Sequence, residues 1–565
     1  MKLRGVDWVF VVAMLLFAAG LRLTGIAFGQ PDSRFAQTML ANNLLPENTP
    51  LHPDEHVFVH RPLKMLLTGK YNPEFFINPS FLINLNFFTY LLTDSGDGLT
   101  TANWEGVSGR SQTPFRFFII GRTYSALGGM FAVAAVYATA LRMRDRYAAL
   151  VAGLLTTVAF PLVQHAHYAT TSSLAAGFVA VCVWASFASL RQVRHRRVWF
   201  LLAGIAAGLA TGNRYNASAV SIVVFLAGLV LLYRHRTRQM LTTVLAGWAL
   251  FPITFVITTP HIIFDTQAVI HDFNYILGEY VGGDNSRFTT SMGMFFEYRY
   301  LILYGIGIPA AMMVLLALYA AWHKRPHQSD TWLCHNSLTL YTIMLLLYAL
   351  PYSLFVLRTA RPIDADQLLL PITPIFTLLA GIGAAWFDDH VPNFAVIRRL
   401  ASAGLVLIVI VMPLMMSLQF VRQLATRDTR QIAQEWVYQH LPAGSRIQLS
   451  GPYNVPLDPA DYQWTQTVAS DLITLDELRE MQVDYVILSD AWYINNFRAD
   501  EIVPQSYRDE LQAHLDLLRQ NLIEVARIDR PQWRGNDDML HTASYYHNPG
   551  LIIYCTNAAS CAAVR

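Results

Sequence analysis

The sequence predicts a polytopic α-helical membrane protein with about eleven transmembrane helices, followed by an extracytoplasmic C-terminal α/β domain. Three observations lead to this fold class. Only 14% of the 565 residues are charged, against about 25% in soluble proteins. The apolar residues form runs that reach the roughly 17 to 25 residues a helix needs to cross a bilayer. Lys and Arg concentrate in every second connection between the runs, as the positive-inside rule requires.

The first element is an apolar run that follows Lys2 and Arg4. A cleaved signal peptide has the same basic start, but this apolar core is too long for one, and no small-residue cleavage site precedes the next polar stretch. We therefore expect a retained anchor with a cytoplasmic N-terminus. This run and the ten other predicted spans cover residues 8–28, 117–140, 147–164, 172–190, 198–214, 216–233, 240–260, 299–322, 337–357, 367–387 and 400–420.

The basic connections fix the predicted topology. They contain the stretches RMRDR, RQVRHRR and YRHRTR and the pairs Lys324–Arg325 and Arg398–Arg399. With these on the cytoplasmic side, residues 29–115 form the first external loop, and the connections near 165–171, 261–298 and 358–366 are also external. Two apolar pieces of the first loop, RPLKMLLTG and PSFLINLNFFTYLL, are too short to span and predict helices lying in the membrane interface.

From about residue 421 the pattern changes to that of a soluble domain. The stretch TRQIAQEWVYQHLPAG has helical spacing, RIQLSG follows as a strand, and helix and strand alternate as far as GLIIYCT. We therefore predict a transmembrane domain over 1–420 and a small α/β domain over 421–565. The tail has no Gly-rich nucleotide-binding pattern. Cys555 and Cys561 would form a disulfide in an oxidising compartment or remain two free thiols, and the sequence leaves both open.

The stretch LHPDEHVFVHRP at 51–62 places two carboxylates, Asp54 and Glu55, in the first external loop. Pro53 followed by acidic residues is a common helix start, because negative charge stabilises the N-terminal end of a helix. A carboxylate at this position is also a candidate general base. The interpretation as a general base depends on whether the pair faces a site that binds a phosphate at the membrane surface.

Several ionisable residues lie at the predicted outer ends of the spans, where they are costly. Each arginine alone could extend its charge to the membrane interface. Together they predict a cationic cradle for the phosphate of a lipid, because the guanidinium fork matches phosphate oxygens. The set consists of Arg22, Arg122, Arg214 with its neighbour Tyr215, Arg358, Arg361, His165 and His167.

The histidines allow a second interpretation. A histidine near a helix end is most often a hydrogen-bonded structural residue. Together with Asp54, Glu55, His52, His56 and His60, however, His165 and His167 could form a zinc site. Because no pair has a specific metal-ligand spacing, we expect no cofactor and keep a divalent metal as the alternative.

If the bound anion is a polyprenyl-phosphate sugar, the chemistry needs little else. The phosphate is a good leaving group whose developing charge the cations stabilise. Asp54 would take the proton from an acceptor hydroxyl as it attacks the anomeric carbon, with Glu55 in support. Attack opposite the phosphate inverts that carbon, and no nucleotide site is needed.

Several stretches also resemble a known family in their order and spacing. They are HPDEHVF around Asp54 and Glu55, LLTGKYNPEFFINPSFLI, GRTYSALGG, GLATGNRYNA and, in the tail, WVYQHLPAGSRI and VDYVILSD. The chain resembles the GT-C membrane glycosyltransferases of the protein O-mannosyltransferase and aminoarabinose transferase superfamily, and most of all its bacterial branch that uses lipid carriers. The resemblance implies a GT-C-like fold, a polyprenyl-phosphate-sugar donor and the first-loop Asp as catalytic base. It implies that Arg214 binds phosphate where the branch usually has Lys.

The chain departs from the branch at two positions. Ser172 stands where an Asp is common, and Gln367 stands where an Arg is common. The second departure weakens the predicted cradle unless Arg358 or Arg361 replaces the missing charge. This departure keeps a catalytically inactive homologue open as an alternative to a hexosyl or pentosyl transferase. The same arginines could also line the path of a transporter or flippase of a lipid-linked anion, which is the other alternative.

The expected location is the cell (inner) membrane, with the C-terminal domain outside. The expected partners are membrane lipids, a polyprenyl-phosphate-linked sugar and an acceptor that could be a protein, a lipid or a glycan. We expect no nucleic acid partner.

Overall fold

The computed structural model confirms a mostly helical membrane protein with a small mixed-sheet domain near its C-terminus. The residues that it describes are 5–30, 52, 54–93, 115–191, 194–281, 298–323, 338–356, 366–392, 394–451, 453–467, 472–491, 493, 505–531 and 547–564.

Helices dominate residues 5–424. In chain order they are α1 (Gly5–Leu23), α2 (Glu55–Thr68), α3 (Phe81–Thr93), α4 (Phe115–Met143), α5 (Arg146–Val158), α6 (Phe160–Gln164), α7 (Thr171–Arg191), α8 (Arg196–Asn213), α9 (Ser221–Arg234), α10 (Arg238–Thr258), α11 (His261–Phe264), α12 (Thr266–Val281), α13 (Ile308–His323), α14 (Leu338–Val356), α15 (Asp366–Leu369), α16 (Thr373–His390) and α17 (Ala395–Leu424). Short 3₁₀ turns follow α6 and α8, and a π-helical turn precedes α13.

Within the described residues, seven helices are long and apolar enough to cross a membrane, and up to nine if each of two bent pairs counts as one span. The predicted spans at 198–214 and 367–387 correspond to α8 and α16, which are helical but are not among these. Two arginines begin α8 and two aspartates lie near the end of α16, so both segments are less apolar than the others. The multi-span class is confirmed, and the count of eleven stays a prediction.

Helices α4 and α7 cross in very close contact. A Cβ added to Gly177 of α7 would lie 2.3 Å from the carbonyl oxygen of Gly128 on α4, so only glycine permits this approach. Small residues serve the same purpose at helix crossings in membranes generally. The crossing fixes the start of α7 beside the middle of α4, and this pair of elements carries several of the predicted site residues.

The two short apolar pieces of the first loop are helices, as predicted. They form α2 and α3, which are joined by the Nδ2 of Asn86 donating to the carbonyl of Phe58 at 2.9 Å. The extended segment 69–80 between them is held from two sides. Phe76 donates its N–H to Asp272 of α12 at 2.6 Å, and its carbonyl accepts from the Tyr215 hydroxyl at 3.0 Å. Segment 69–80 is therefore held by residues from two other parts of the chain, Tyr215 after α8 and Asp272 of α12.

The C-terminal domain begins after α17 and contains a five-stranded sheet of order β2-β1-β3-β5-β4. The strands are β1 (Arg446–Ser450), β2 (Gln463–Thr467), β3 (Tyr485–Ser489), β4 (Ile523–Ile528) and β5 (Leu551–Cys555), with helices α18 (Thr429–His440), α19 (Leu475–Glu480), α20 (Gln505–Asn521) and α21 (Ala558–Ala562). Strand β3 pairs in parallel with β1 and antiparallel with β5. Its side chains alternate between the core beside α18, which contains Ile487, and the core beside α20, which contains Leu488.

Cys555 and Cys561 form a disulfide, with Cα atoms 5.3 Å apart. The bond ties α21 to the end of β5, and this settles the choice that the sequence left open.

Candidate active site

Glu55 and Arg122 form a fully buried ion pair, with no exposed surface on either side chain. Arg122 Nε donates to Glu55 Oε1 at 2.7 Å, and Nη2 donates to Oε2 at 2.8 Å. This bidentate geometry is the strongest that an arginine makes with a carboxylate. The third nitrogen, Nη1, donates to the carbonyls of Ile26 and Phe28 just after α1, at 2.7 and 2.8 Å.

Glu55 accepts two further bonds from the backbone. The N–H of Ala169 reaches Oε1 at 2.7 Å, and the N–H of His52 reaches Oε2 at 3.0 Å. Ala169 can approach because Gly121, beside Arg122, has no side chain, and a Cβ there would lie 2.7 Å from that of Ala169. The pair thus joins α2, α4, the end of α1 and the turn before α7. All three Arg122 nitrogens are used inside the protein, which does not support its predicted role as a phosphate ligand.

Asp54 stands at the N-cap of α2 but makes no capping hydrogen bond. The residue is exposed, and within the described part of the chain its carboxylate has no hydrogen-bond or ion-pair partner. Its backbone N–H donates to His52 Nδ1 at 3.1 Å. The acid pair therefore does begin a helix, as one interpretation of the sequence predicted. The two carboxylates differ nonetheless, because the oxygens of Glu55 accept four hydrogen bonds, whereas those of Asp54 accept none from the described residues.

Arg214 lies between α8 and the 3₁₀ turn that begins at Tyr215, and it is only 7% exposed. Its Nη1 donates to the hydroxyl of Ser172 and, at 2.9 Å, to Oε1 of Gln367. Both partners are neutral, and no carboxylate pairs with this guanidinium within the described residues. A buried cation normally has a counter-ion, so this one is suited to an anion from outside the protein. Its two partners are the positions at which the sequence departs from the resembled branch.

The segment 169–172 connects the two features. Ala169 binds Glu55 through its N–H, and Ser172, three residues on, binds Arg214 through its hydroxyl. Three residues extend at most about 11 Å, so the locked acid pair and the buried cation lie near the two ends of one short stretch. The Ser125 hydroxyl of α4 holds this stretch by donating to the carbonyl of Thr170 at 3.0 Å.

Arg22 has a different environment from the one predicted. It is fully buried and donates to the carbonyls of Thr157 at 3.1 Å and Thr156 at 3.4 Å, near the end of α5. Helix α5 stops there because Pro161 lacks the N–H that would bond to Thr157, and α6 continues at a bend of 55°. Arg22 thus satisfies carbonyls that the break leaves open. Its contacts support a structural role and do not place it with Asp54.

The remaining predicted residues divide into three groups. The Nδ1 of His167 lies 2.8 Å from the carbonyl of Val163 and its Nε2 lies 3.0 Å from that of Thr24, and the single N–H of the neutral ring donates to one of them, as in a structural histidine. His165 is buried, with its ring edge-on to Tyr168. Tyr215 supports segment 69–80 through its hydroxyl. Arg358 and Arg361 lie outside the described residues.

Metal binding has no visible cluster to support it. Among the described residues, no three or more His, Cys, Asp or Glu side chains are grouped closely enough to hold an ion. The expectation of no cofactor stays a prediction.

Sequence reasoning missed Tyr168 and His547. The Tyr168 ring contacts the ring of His52, with centroids 4.3 Å apart, and the ring of His547, with centroids 5.5 Å apart. The Nε2 of His547 is 3.0 Å from the Tyr168 hydroxyl. Burial lowers the pKa of His547 well below its ordinary value, and the neighbouring His52, Arg430, Arg122 and His167 lower it further. In the sequence, HAHYATTSS draws attention to its histidines, and nothing local indicates that its Tyr meets residue 547.

Comparisons with known proteins agree with the sequence resemblance. Residues 98–276 match the family model "Dolichyl-phosphate-mannose-protein mannosyltransferase". This segment contains Arg122, Ala169, Ser172 and Arg214. The match confirms the predicted resemblance to this class of membrane glycosyltransferases over about a third of the chain. No curated protein matches the sequence.

Three solved structures illustrate the similarity to experimental folds. ArnT from Cupriavidus metallidurans bound to undecaprenyl phosphate is 15% identical, with 99% of each chain covered and a TM-score of 0.44. AglB from Archaeoglobus fulgidus, an archaeal oligosaccharyltransferase in complex with an inhibitory peptide and a dolichol-phosphate, is 11% identical over 87% of this chain and 70% of that chain, with a TM-score of 0.43. Arabinofuranosyltransferase AftD from Mycobacteria is 14% identical over 94% and 42%, with a TM-score of 0.37. At TM-scores below 0.5 these likenesses carry no argument about function.

Proposed function

We propose that the protein is an inverting membrane glycosyltransferase that moves a hexosyl or pentosyl group from a polyprenyl-phosphate donor to an acceptor hydroxyl at the outer face of the membrane. One observation supports this above the others. Among the described residues, the Asp54 carboxylate has no partner and the buried cation Arg214 has no carboxylate partner, and both are tied through their neighbours to the two ends of segment 169–172.

Asp54 is the base in this reaction. Its carboxylate is not engaged by the described part of the protein, so it can accept the proton of an incoming hydroxyl. Glu55 is unsuited to that task because Arg122 and two backbone N–H groups already occupy its oxygens. Its role is to fix the start of α2 and thereby to position Asp54.

Arg214 binds the donor phosphate. Its neutral partners orient the guanidinium without cancelling its charge. As the glycosidic bond breaks, negative charge grows on the phosphate oxygens, and a cation already in place stabilises that charge without reorganising. The matching family model, whose name contains a lipid phosphate sugar, supports this donor class.

The outer face is favoured by the C-terminal disulfide, because such bonds persist in oxidising compartments and are rare in the cytosol. The positive-inside pattern of the sequence gives the same orientation, with a cytoplasmic N-terminus and an inner-membrane location. The acceptor could be a protein, a lipid or a glycan.

The test is transfer in proteoliposomes from a panel of radiolabelled polyprenyl-phosphate hexoses and pentoses, with membrane extracts as the source of acceptors. We expect transfer from at least one donor and its loss in Asp54→Asn. The matched control is Asp476→Asn, which removes another exposed aspartate from α19 in the C-terminal domain. Transfer that survives Asp54→Asn would overturn the assigned base. Movement of the labelled lipid across the bilayer without a glycosidic product would overturn the enzyme in favour of a flippase, and tight binding without turnover of any sugar would favour an inactive homologue.

A further inference from the structure

The C-terminal domain contacts the membrane domain through several buried side chains, among them Tyr453, Ala491 and one histidine, His547. His547 is 1% exposed and lies among aromatic side chains of the other domain. Its ring stacks on Tyr168 at an interplanar angle of 25°, and it meets the ring of Phe28 edge-on with centroids 4.8 Å apart. Its Nε2 shares a hydrogen bond with the Tyr168 hydroxyl. The Phe28 ring also lies under the Arg122 guanidinium, 3.6 Å from its centroid to the central carbon.

Tyr168 also touches the loop that carries the acids. The His52 ring lies against it, tilted by 42°. His52 in turn contacts both acidic residues, because its N–H donates to Glu55 Oε2 and its Nδ1 accepts from the backbone N–H of Asp54. Three consecutive contacts therefore lead from His547 to Asp54.

His547 is itself held firmly at the base of the C-terminal domain. Its carbonyl accepts from Gln423 of α17 at 3.1 Å. The next residue, Asn548, has a φ of 45° and accepts at Oδ1 from the backbone N–H of Thr429, the first residue of α18. Gly550, which precedes β5, donates to Asp490 at 2.7 Å. The position of His547 is thus determined by the docked C-terminal domain.

We propose that His547 is a positioning residue for the catalytic loop, so that docking of the C-terminal domain holds His52 and Asp54 in their active arrangement through Tyr168. This inference rests on the proposed function for its catalytic readout. It gives the C-terminal domain a part in the reaction, because His547 supports Tyr168, against which His52 of the loop that contains the base is packed.

The geometry predicts a specific kinetic effect. Removing the His547 ring opens space beside Tyr168 and allows the His52 side chain to move. A displacement of the base by about 1 Å can cost about 100-fold in rate. Within the described residues, the Arg214 guanidinium bonds to Ser172 and Gln367 and not to His547, Tyr168 or His52, so donor binding should be preserved. The effect therefore falls on kcat and spares the affinity for the lipid phosphate.

The experiment uses the full chain in nanodiscs and compares His547→Ala, His547→Gln and Tyr168→Phe with His514→Ala. His514 is a matched control because it is a buried histidine of the same domain, on α20, away from the membrane domain. We expect His547→Ala to lower kcat by about 10-fold to 100-fold with little change in binding of polyprenyl phosphate. His547→Gln can restore the bond to the Tyr168 hydroxyl and should recover part of the rate. Tyr168→Phe should have a kcat similar to that of His547→Gln.

A second measurement does not require catalysis. Amide hydrogen exchange of the peptide over residues 52–60 should quicken in His547→Ala and remain at the wild-type rate in His514→Ala. If no sugar is transferred even by the wild-type protein, the proposed function fails while exchange still tests the coupling. Unchanged exchange and unchanged kcat in His547→Ala, or equal losses in both alanine variants, would overturn the inference.

Discussion

Replacing Glu55 by Gln should destabilise the protein far more than replacing the adjacent Asp54 by Asn. The reason lies in the groups around Glu55. Four hydrogen bonds reach its oxygens, two from Arg122 and one each from the N–H groups of Ala169 and His52. All four are donors, so the NH₂ of a Gln would face a donor and could not donate in return.

The magnitude follows from the burial of the pair. Neither Glu55 nor Arg122 has exposed side-chain surface, and the substitution leaves the Arg122 charge buried without its partner. Breaking a buried pair in this way typically costs about 3 to 5 kcal/mol. Asp54 is exposed and its carboxylate has no partner among the described residues, so Asp54→Asn should change the free energy of unfolding by no more than about 0.5 kcal/mol. The two variants change the same chemical group by the same atom, which makes each the control for the other.

Unfolding can be followed through Cys182, a buried free thiol of α7 that reacts with a maleimide dye only when the helix bundle opens. A Cys334→Ser background removes the other cysteine outside the disulfide. Denaturant titration in mixed micelles then gives the free energy of unfolding for each variant. In a double-mutant cycle, Glu55→Gln and Arg122→Gln together should cost at least about 1 kcal/mol less than the sum of the single changes. A Glu55→Gln variant as stable as Asp54→Asn would refute the stabilising role of the buried Glu55–Arg122 pair.

Three further predictions concern other residues. Arg214→Gln should weaken binding of sugar-free polyprenyl phosphate by about 10-fold to 100-fold, since a hydrogen bond to a charged group contributes about 1.5 to 3 kcal/mol; undiminished binding in a titration by native mass spectrometry would contradict this. Arg22→Met should lower the free energy of unfolding by about 2 kcal/mol or more, because the carbonyls of Thr156 and Thr157 lose their donor, while the folded protein keeps its affinity for the lipid phosphate; the converse result would return Arg22 to the phosphate site. The depressed pKa of His547 means that below about pH 6.5 the unfolded state takes up a proton that the folded state refuses, so stability should fall on acidification by at most about 1.4 kcal/mol per pH unit from this group; a His547→Gln variant with the same pH dependence as wild type would show that another group is responsible.

Local patterns in the sequence were sufficient for much of the fold. Apolar runs and basic connections located the helices, and the alternation of helical and strand-like stretches in the tail predicted β1, β3 and β5. Each of these signals acts over a few residues. Strand β2 was missed since its sequence, QWTQT, is polar and lies at the edge of the sheet. The mixed strand order could not be predicted, because β5 enters between β3 and β4 through pairing that no local pattern records.

The candidate site was predicted in position and only partly in role. The sequence placed Asp54 and Glu55 near cations, but it could not show that Arg122 forms its ion pair with Glu55, 67 residues away. The contacts of Arg22 had a usable signal in the sequence, since Pro161 within a predicted span implies carbonyls that need another donor. His547 had none, because its contact with Tyr168 crosses 379 residues. Interactions of this kind depend on the tertiary fold and not on spacing.

The neutral surroundings of Arg214 have a consequence for turnover. In the proposed reaction the donor is a phosphodiester with a single negative charge, whereas the spent carrier is a monoester that carries nearly two at neutral pH, since its second pKa is near 6. Because no carboxylate of the described residues competes for this guanidinium, it would hold the spent carrier more tightly than the fresh donor. Release of the used lipid would then limit the cycle, and the rate in a membrane would depend on how quickly other proteins remove that lipid.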